Sequence, residues 1–377
     1  MTHAGSGCPR RSPVPPSESS VLTTRVLALI PAHNEQVIIG QAITALHEQS
    51  RPPERIVVVA DNCTDDTVRI ARDLGAEVFE TVGNVHKKGG ALNQALDALL
   101  PDLGEGDFVF VQDADSVVRR DFLHNAEAWF TRKPNLGALG GTFRALPFAT
   151  DAGWQERLLW RLQDNEYARY QRDVERLNGK CLVVTGTAAL FKAATLRHVQ
   201  AERGRRLPMG GGGIYDTTVL TEDNEISFAI MHLGYDLLAP HDCLLETDAM
   251  QSWKDLYNQR LRWKRGAVEN CVQYGLTLIT LPYWGRQLLT MAGVIVTALY
   301  LASLVWSGTV GGGIHIHPFW IWVTGIFVVE RFVTVSKKGV KEQVLAASMW
   351  EIPFEMFLSF VHADAYVKAL TRQKKVW

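Results

Sequence analysis

From Arg25 to Val111, short apolar runs alternate with helix-like stretches, and the main runs stop at polar clusters. Val26–Ile30 ends at Pro31, and a helical pattern follows from Val37 to Gln49. Ile56–Ala60 ends at Asp61, with a helix expected from Asp65 to Leu74. Glu77–Thr81 is a weaker strand, Lys88–Leu100 reads as a helix, and Phe108–Val111 is the next buried strand. Short apolar strands separated by helices predict an α/β fold with a mostly parallel sheet. Ligands of such sheets bind beyond the carboxyl ends of the strands. His33-Asn34-Glu35, Asp61-Asn62 and Asp113-Ala114-Asp115 stand there, so three strand ends are expected to converge on one crevice.

The chain has 377 residues, enough for one large domain with an appendage. A net charge of −1 argues against a nucleic-acid partner. Five scattered cysteines without a CxxC pair read as reduced thiols of a cytoplasmic protein, not as a disulfide framework or zinc site. Residues 1–24, rich in Pro, Ser, Gly and Arg, lack the apolar run of a signal peptide and are expected to form a disordered cytoplasmic tail. The α/β domain is then expected over 25–274 and a membrane region over 275–377.

Leu288–Trp306 is uncharged and about long enough to span a bilayer. A second apolar stretch, Pro318–Val335, is interrupted late by Glu330-Arg331. Spanning helices are therefore expected at about 287–307 and 316–335, joined by a Gly/His-rich loop. Lys337, Lys338 and Lys341 follow, which places the α/β domain in the cytoplasm and that loop outside. The stretch 344–370 carries Glu351, Glu355, His362 and Asp364, so an interfacial or re-entrant helix is the cheaper expectation. Gly275–Trp284 reads as a further candidate for the headgroup region.

Several motifs bear chemistry, each with a plainer alternative. Asp113 and Asp115 offer hard oxygen ligands suited to Mg²⁺ or Mn²⁺ beside substrate phosphates, or else form an acidic turn. Thr221-Glu222-Asp223 precedes a helix expected over Asn224–Leu233, so Asp223 is a candidate general base or Thr221 an ordinary cap. Gln259, Arg262 and Trp263 lie in a basic, aromatic stretch. It reads as a diphosphate and acceptor-sugar site, or as a basic helix face on anionic lipid. His86-Lys87-Lys88-Gly89-Gly90 could hold a diphosphate at a helix start, or be a Gly-rich turn. Met209–Gly213 reads as a mobile flap or a flexible loop.

As an ordered set, these residues resemble the family-2 glycosyltransferases, in particular the branch of chitooligosaccharide, hyaluronan and poly-N-acetylglucosamine synthases. The resemblance covers about residues 25–270. It implies a GT-A fold, a membrane-bound inverting transferase, a UDP-sugar donor and a saccharide or lipid-linked acceptor. UDP-N-acetylglucosamine is the donor it suggests first. Ile30-Pro31-Ala32-His33-Asn34-Glu35 is similar to the opening nucleotide-binding motif, and Asp61 to the uracil-contacting acid. Lys88 falls in an H-x-K-x-G-x-x-N-like segment, which implies a diphosphate role. Asp113 and Asp115 match the metal-binding pair, and Thr185-Gly186-Thr187 the small-residue motif near the acceptor. Asp223, with Glu222 beside it, matches the base, and Gln259, Arg262 and Trp263 the Q-x-x-R-W motif.

The chain departs from the polymer synthases of that family. It shows no helix ahead of the α/β domain and only two convincing spans. Two are few for a polymer channel within one chain, although a homo-oligomer would supply more. Transfer of one sugar to a lipid or protein is therefore the runner-up. A non-enzymatic membrane scaffold and a nucleotidyltransferase are the further alternatives.

Overall fold

The computed structural model describes residues 24–148, 151–311 and 318–374. The expected tail lies outside the described residues up to Val21-Leu22-Thr23, and so do residues 312–317 of the Gly/His-rich loop. The first half runs β1 (Val26–Ala32), α1 (Ile39–His47), β2 (Arg55–Ala60), α2 (Thr67–Asp73), β3 (Glu77–Glu80), α3 (Lys87–Leu99), β4 (Phe108–Gln112) and β5 (Ser116–Val118). Then come α4 (Phe122–Arg132), β6 (Leu136–Gly140), β7 (Thr142–Ala145), α5 (Trp154–Arg176), β8 (Ala188–Lys192) and α6 (Ala193–Glu202). After α7 (Glu222–His232), β9 (Asp236–Leu238) and β10 (Leu244–Thr247), the chain ends in helices. These are α8 (Trp253–Tyr274), α9 (Leu281–Thr309), α10 (Pro318–Thr334), α11 (Val340–Ala347) and α12 (Ile352–Leu370).

The main sheet has seven strands in the order β3-β2-β1-β4-β8-β6-β9. Strands β3, β2, β1 and β4 are parallel, as expected. Strand β8 runs antiparallel to both β4 and β6, so the sheet is mixed. Buried on both faces, β1, β2 and β4 read as continuous apolar runs and not as alternating ones. Helices α1, α2 and α4 pack on one face, and α3, α6 and α7 on the other. Strand β4 pairs with β1 only as far as Leu29, whereas β2 follows it to Ala32. Pro31 therefore falls where the sheet opens, at the carboxyl edge. A three-stranded sheet, β5-β10-β7, stands beside this edge.

Helix α9 has 29 residues, about 43 Å at the usual rise, and outside Tyr283 and Gln287 it buries little. Among the described residues it alone is long and apolar enough, as one helix, to cross a membrane. Helix α10 is apolar but has only 17 residues. The stretch expected as one interfacial or re-entrant element is two helices, α11 and α12, bent by 64°.

Helix α12 docks on α5 and α8 through Phe354 and Leu358 against Leu159, Leu162 and Leu256. Its acids have partners. Glu351 meets Arg169 at 3.1 Å and also Arg331, and Glu355 meets Arg331 at 2.8 Å. The pair Glu330-Arg331, which interrupts the second apolar stretch, thus faces α5 and α12. Residues 275–284 are split in placement. Tyr283 packs edge-on against Phe228 with ring centroids 4.3 Å apart, while Leu276 and Leu278 stay exposed.

Candidate active site

The carboxyl ends of β1, β2 and β4 and the start of α3 enclose a cavity of about 500 Å³. Pro31, His33, Glu35, Asp61, Lys88, Asp113 and Asp115 all line it, so the three polar clusters do meet in one crevice. Asp61 is buried, and its Oδ1 accepts from the Thr81 hydroxyl at 2.8 Å and from Asn62 Nδ2 at 3.0 Å. The His33 Nδ1 lies 2.6 Å from the Asp61 carbonyl oxygen, which ties the ends of β1 and β2 together. Asn62 and Lys87, both on the cavity wall, have φ of 51°, in the left-handed region that favours glycine.

Lys88, in the first turn of α3, stands at the centre of the site. Its ammonium donates to Asp113 Oδ1 at 2.5 Å and to the Gly186 carbonyl at 3.2 Å, and Glu222 Oε1 is 3.7 Å away. Burial opposes its charge, but Asp113 and Glu222 outweigh burial and hold it protonated above the usual lysine range. Two glycines make this packing possible. A Cβ on Gly186 would fall 2.9 Å from Lys88 Nζ, and one on Gly90 would fall 2.2 Å from Asn84 Oδ1.

Carboxylates crowd this end of the crevice, and Lys88 offsets them only in part. Burial, then the neighbouring Asp113, push the Asp115 carboxyl up to about 7. The same two causes raise Glu35. The Asp115 carbonyl accepts from the Asp248 amide at 3.2 Å, so Asp248 stands beside the pair. Burial raises that carboxyl as well.

Glu222 and Asp223 open α7. Thr221 occupies the N-cap position, yet its hydroxyl makes no capping bond; it accepts from Asn270 Nδ2 at 3.2 Å instead. Asp223 is held by two backbone amides, Gly186 N to Oδ2 at 3.1 Å and Asn224 N to Oδ1 at 2.8 Å. Burial, then Glu222, raise its pKa. Asp223, Glu222, Gly186 and Lys88 line a narrow void. Thr187 stands just behind: its carbonyl accepts from the Asp113 amide at 3.0 Å, and its hydroxyl lies 2.9 Å from that of Thr185.

The Gln259–Trp263 stretch lies on α8 and divides. Arg262 lines a cavity of about 230 Å³ together with Lys87, Lys88, Asp113 and Glu222. Gln259 and Trp263 instead gather on Arg260, whose guanidinium lies 4.3 Å from the Trp263 ring centroid and pairs with Glu166 at 2.8 Å.

Sequence reasoning missed Asn84 as a wall residue and Asp248 as a neighbour of Asp115. Asn84 carried a signal, since an Asn side chain commonly bonds the backbone two residues on and holds a turn; its Oδ1 accepts from the His86 amide at 3.0 Å. Asp248 carried none, because only the tertiary fold brings the end of β10 beside β5 and Asp115. The Gly-rich stretch rests on Asn93, which exchanges bonds of 2.8 Å with the Tyr215 carbonyl and amide. A Cβ on Gly213 would fall 2.3 Å from the Asn93 amide nitrogen.

An open α/β sheet with a carboxylate-and-lysine crevice at its switch edge defines a nucleotide-binding enzyme of the GT-A type. Residues 24–266 match the model of "Glycosyltransferase like family 2", and the chain belongs to that family. It is therefore a glycosyltransferase. It is 24% identical over 356 residues to the probable glycosyltransferase YdaM of Bacillus subtilis, covering 90% of this chain and 80% of that one. It is 23% identical to a poly-beta-1,6-N-acetyl-D-glucosamine synthase of Staphylococcus epidermidis, over 74% of this chain and 64% of that one. It is 27% identical to the cellulose synthase catalytic subunit of Pseudomonas fluorescens, but spans only 33% of its length. Among solved structures it resembles the mannosyltransferase PcManGT of Pyrobaculum calidifontis, in complex with GDP-Man and Mn²⁺. That match has a TM-score of 0.61 and 20% identity and covers 93% of this chain and 88% of that one.

Proposed function

We propose that this glycosyltransferase transfers a sugar with inversion from a UDP-sugar, UDP-N-acetylglucosamine first, to a saccharide or membrane-associated acceptor. The observation that carries the reading is the position of Lys88. It stands where the crevice of His33 and Asp61, the cavity of Arg262 and the void of Asp223 meet.

In this reading the nucleoside lies along Pro31, His33, Glu35 and Asp61. Lys88 and Arg262 take the negative charge that grows on the departing diphosphate. Asp223 accepts the proton of the attacking hydroxyl, its carboxylate kept in one orientation by the Gly186 and Asn224 amides. Gly186 and Thr187 shape the wall between base and lysine. Gln259 and Trp263 bear on the acceptor through Arg260.

Asp113 and Asp115 fit a divalent ion, Mg²⁺ or Mn²⁺. They are carboxylates separated only by Ala114, Lys88 bonds Asp113, and burial with the neighbouring Asp113 holds the Asp115 carboxyl above the usual aspartate range, which a nearby cation would relieve. Among the described residues, no three His, Cys, Asp or Glu side chains group closely enough to hold an ion alone. That suits ions which complete their shell with water and substrate phosphates. Such an ion, when bound, neutralises diphosphate charge. The Mn²⁺ bound by PcManGT favours the same assignment.

Processive and single transfer both fit this site, and the second requires no channel. The domain reading is an α/β unit over 25–274 on a cytoplasmic face, with 275–377 at the membrane.

The test is nucleotide release by the detergent-solubilised full chain, supplied in turn with UDP-sugars and GDP-mannose. Release of UDP that needs Mn²⁺ or Mg²⁺ and stops with EDTA is expected. GDP release from GDP-mannose alone would overturn the uridine assignment, and EDTA-indifferent UDP release would overturn the metal. Product length on a gel then separates chain extension from single transfer.

A further inference from the structure

We propose that a cationic cavity between α5 and the turn from α10 to α11 binds the anionic headgroup of a membrane phospholipid. The cavity has a volume of about 770 Å³, larger than the crevice at Asp113, and shares no lining residue with it. Seven cationic side chains face it against three acidic ones.

The three acids are already engaged. Glu342 pairs with Arg161, Asp164 with Lys338 at 2.5 Å, and Glu175 with Lys337 at 2.7 Å. Arg172 binds Glu330 and Thr334 of α10. Arg144 of β7 and Lys341 of α11 are exposed, and their side chains have no partner among the described residues. Among the described residues, the cavity therefore keeps an excess of positive charge at Arg144 and Lys341.

Its position says what would neutralise it. Val333 and Thr334, the last turn of α10, form part of the wall. The helix leading there exposes Ile321, Trp322, Ile326, Phe327 and Val329, each 51–76% accessible. An apolar helix running into a cationic cavity presents one surface for acyl chains and one for a phosphate, in the order a lipid needs. A free anion would make no use of the helix. The inference rests on α10 lying in the bilayer, and it is independent of the donor and of the base.

Native mass spectrometry of the detergent-solubilised full chain tests it, with phosphatidylglycerol, phosphatidylcholine and inorganic phosphate as probes. Phosphatidylglycerol is expected to be retained in preference to phosphatidylcholine. In the double variant Arg144→Gln/Lys341→Gln its affinity should fall about thirty-fold, the weight of two cations near an anionic surface. Arg144→Lys/Lys341→Arg should retain it, and UDP binding should be unchanged in both variants, which also reports that they fold. Equal retention of the two lipids, or full affinity in the Gln variant, would overturn the proposal. So would inorganic phosphate binding as tightly as phosphatidylglycerol, which would make the cavity a site for a free anion.

Discussion

Replacing Asp223 by asparagine keeps the size of the side chain but changes what its two oxygens do. In the wild type each oxygen accepts one backbone amide, from Gly186 at 3.1 Å and from Asn224 at 2.8 Å. Asparagine has one acceptor oxygen, so its NH₂ must face one of those amides, and that amide loses its partner. The cost is about 1–3 kcal/mol, absorbed within the site. Loss of the base is a separate effect of about 10²–10⁴ in turnover, or roughly 2.7–5.5 kcal/mol. The two effects separate by assay. Asp223 faces the void behind Lys88 and does not line the crevice of His33 and Asp61. UDP affinity by calorimetry should therefore stay within about threefold. UDP release at saturating donor should fall by about two to four orders of magnitude. A variant that binds UDP normally and turns over within about tenfold of wild type would refute the assignment of the base.

Three further outcomes follow from the same geometry. Burial, then Glu222, raise Asp223, and a base works only when ionised. Turnover should thus fall with acid at a pH above the ordinary aspartate value, and Glu222→Gln should move that limb to lower pH; an unmoved kcat–pH profile contradicts the coupling. Arg203 is buried and holds the fully buried Glu225 through bonds of 2.6 and 2.8 Å. Arg203→Met should cost about 3–5 kcal/mol in a denaturant titration, and adding Glu225→Leu should recover much of it; a neutral single variant would refute the argument. A Cβ on Gly266 would fall 2.4 Å from the Thr221 hydroxyl, so Gly266→Ala must push α8 off the start of α7. Turnover should drop more than UDP affinity, and parallel losses in the two measurements would count against it.

The half of the fold that holds the nucleotide crevice was legible because β1, β2 and β4 are buried on both faces. Such strands are continuous apolar runs, and their ends are marked by the first polar residues. Strand β8 has no such mark. Ala188–Lys192 runs straight into α6, and its antiparallel direction comes from pairing with β4 and β6, which no local pattern records. The short strands β5, β7 and β10 were missed for the same reason, and Asp248 with them. In the site, Thr221 was read with capping as one option. The hydroxyl that would have capped is taken by Asn270, 49 residues away. The acids of α12 looked costly for any apolar helix, because their partners Arg169 and Arg331 are remote in sequence.

Those remote pairs bear on how the C-terminal helices and the site are joined. Helix α8 is the common member. Near its middle it presents Arg262 to the cavity of Lys88 and Glu222. One turn on, Gly266 lets it lie against Thr221, and Asn270 Nδ2 donates to the Thr221 carbonyl at 3.1 Å. At its end Gln273 bonds Asp216 of the Gly-rich segment at 2.7 Å, and Tyr274 bonds Glu225 of α7 at 2.5 Å. Gly275, with φ of 70°, ends the helix six residues before α9 begins. The opposite side of α8 carries Leu256 and Tyr257 against α12, Tyr257 donating to Asp364. Helix α8, bonded to α7 on one side and to α12 on the other, couples the two mechanically. The Arg262 cavity, the Asp223 carboxylate and the C-terminal helices are thus joined through α8, whereas the crevice of His33 and Asp61 is built from the sheet and the start of α3 and has no wall on α8. That division is why changes along α8 at positions other than Arg262, such as Gly266, are expected to act on transfer more than on nucleotide binding.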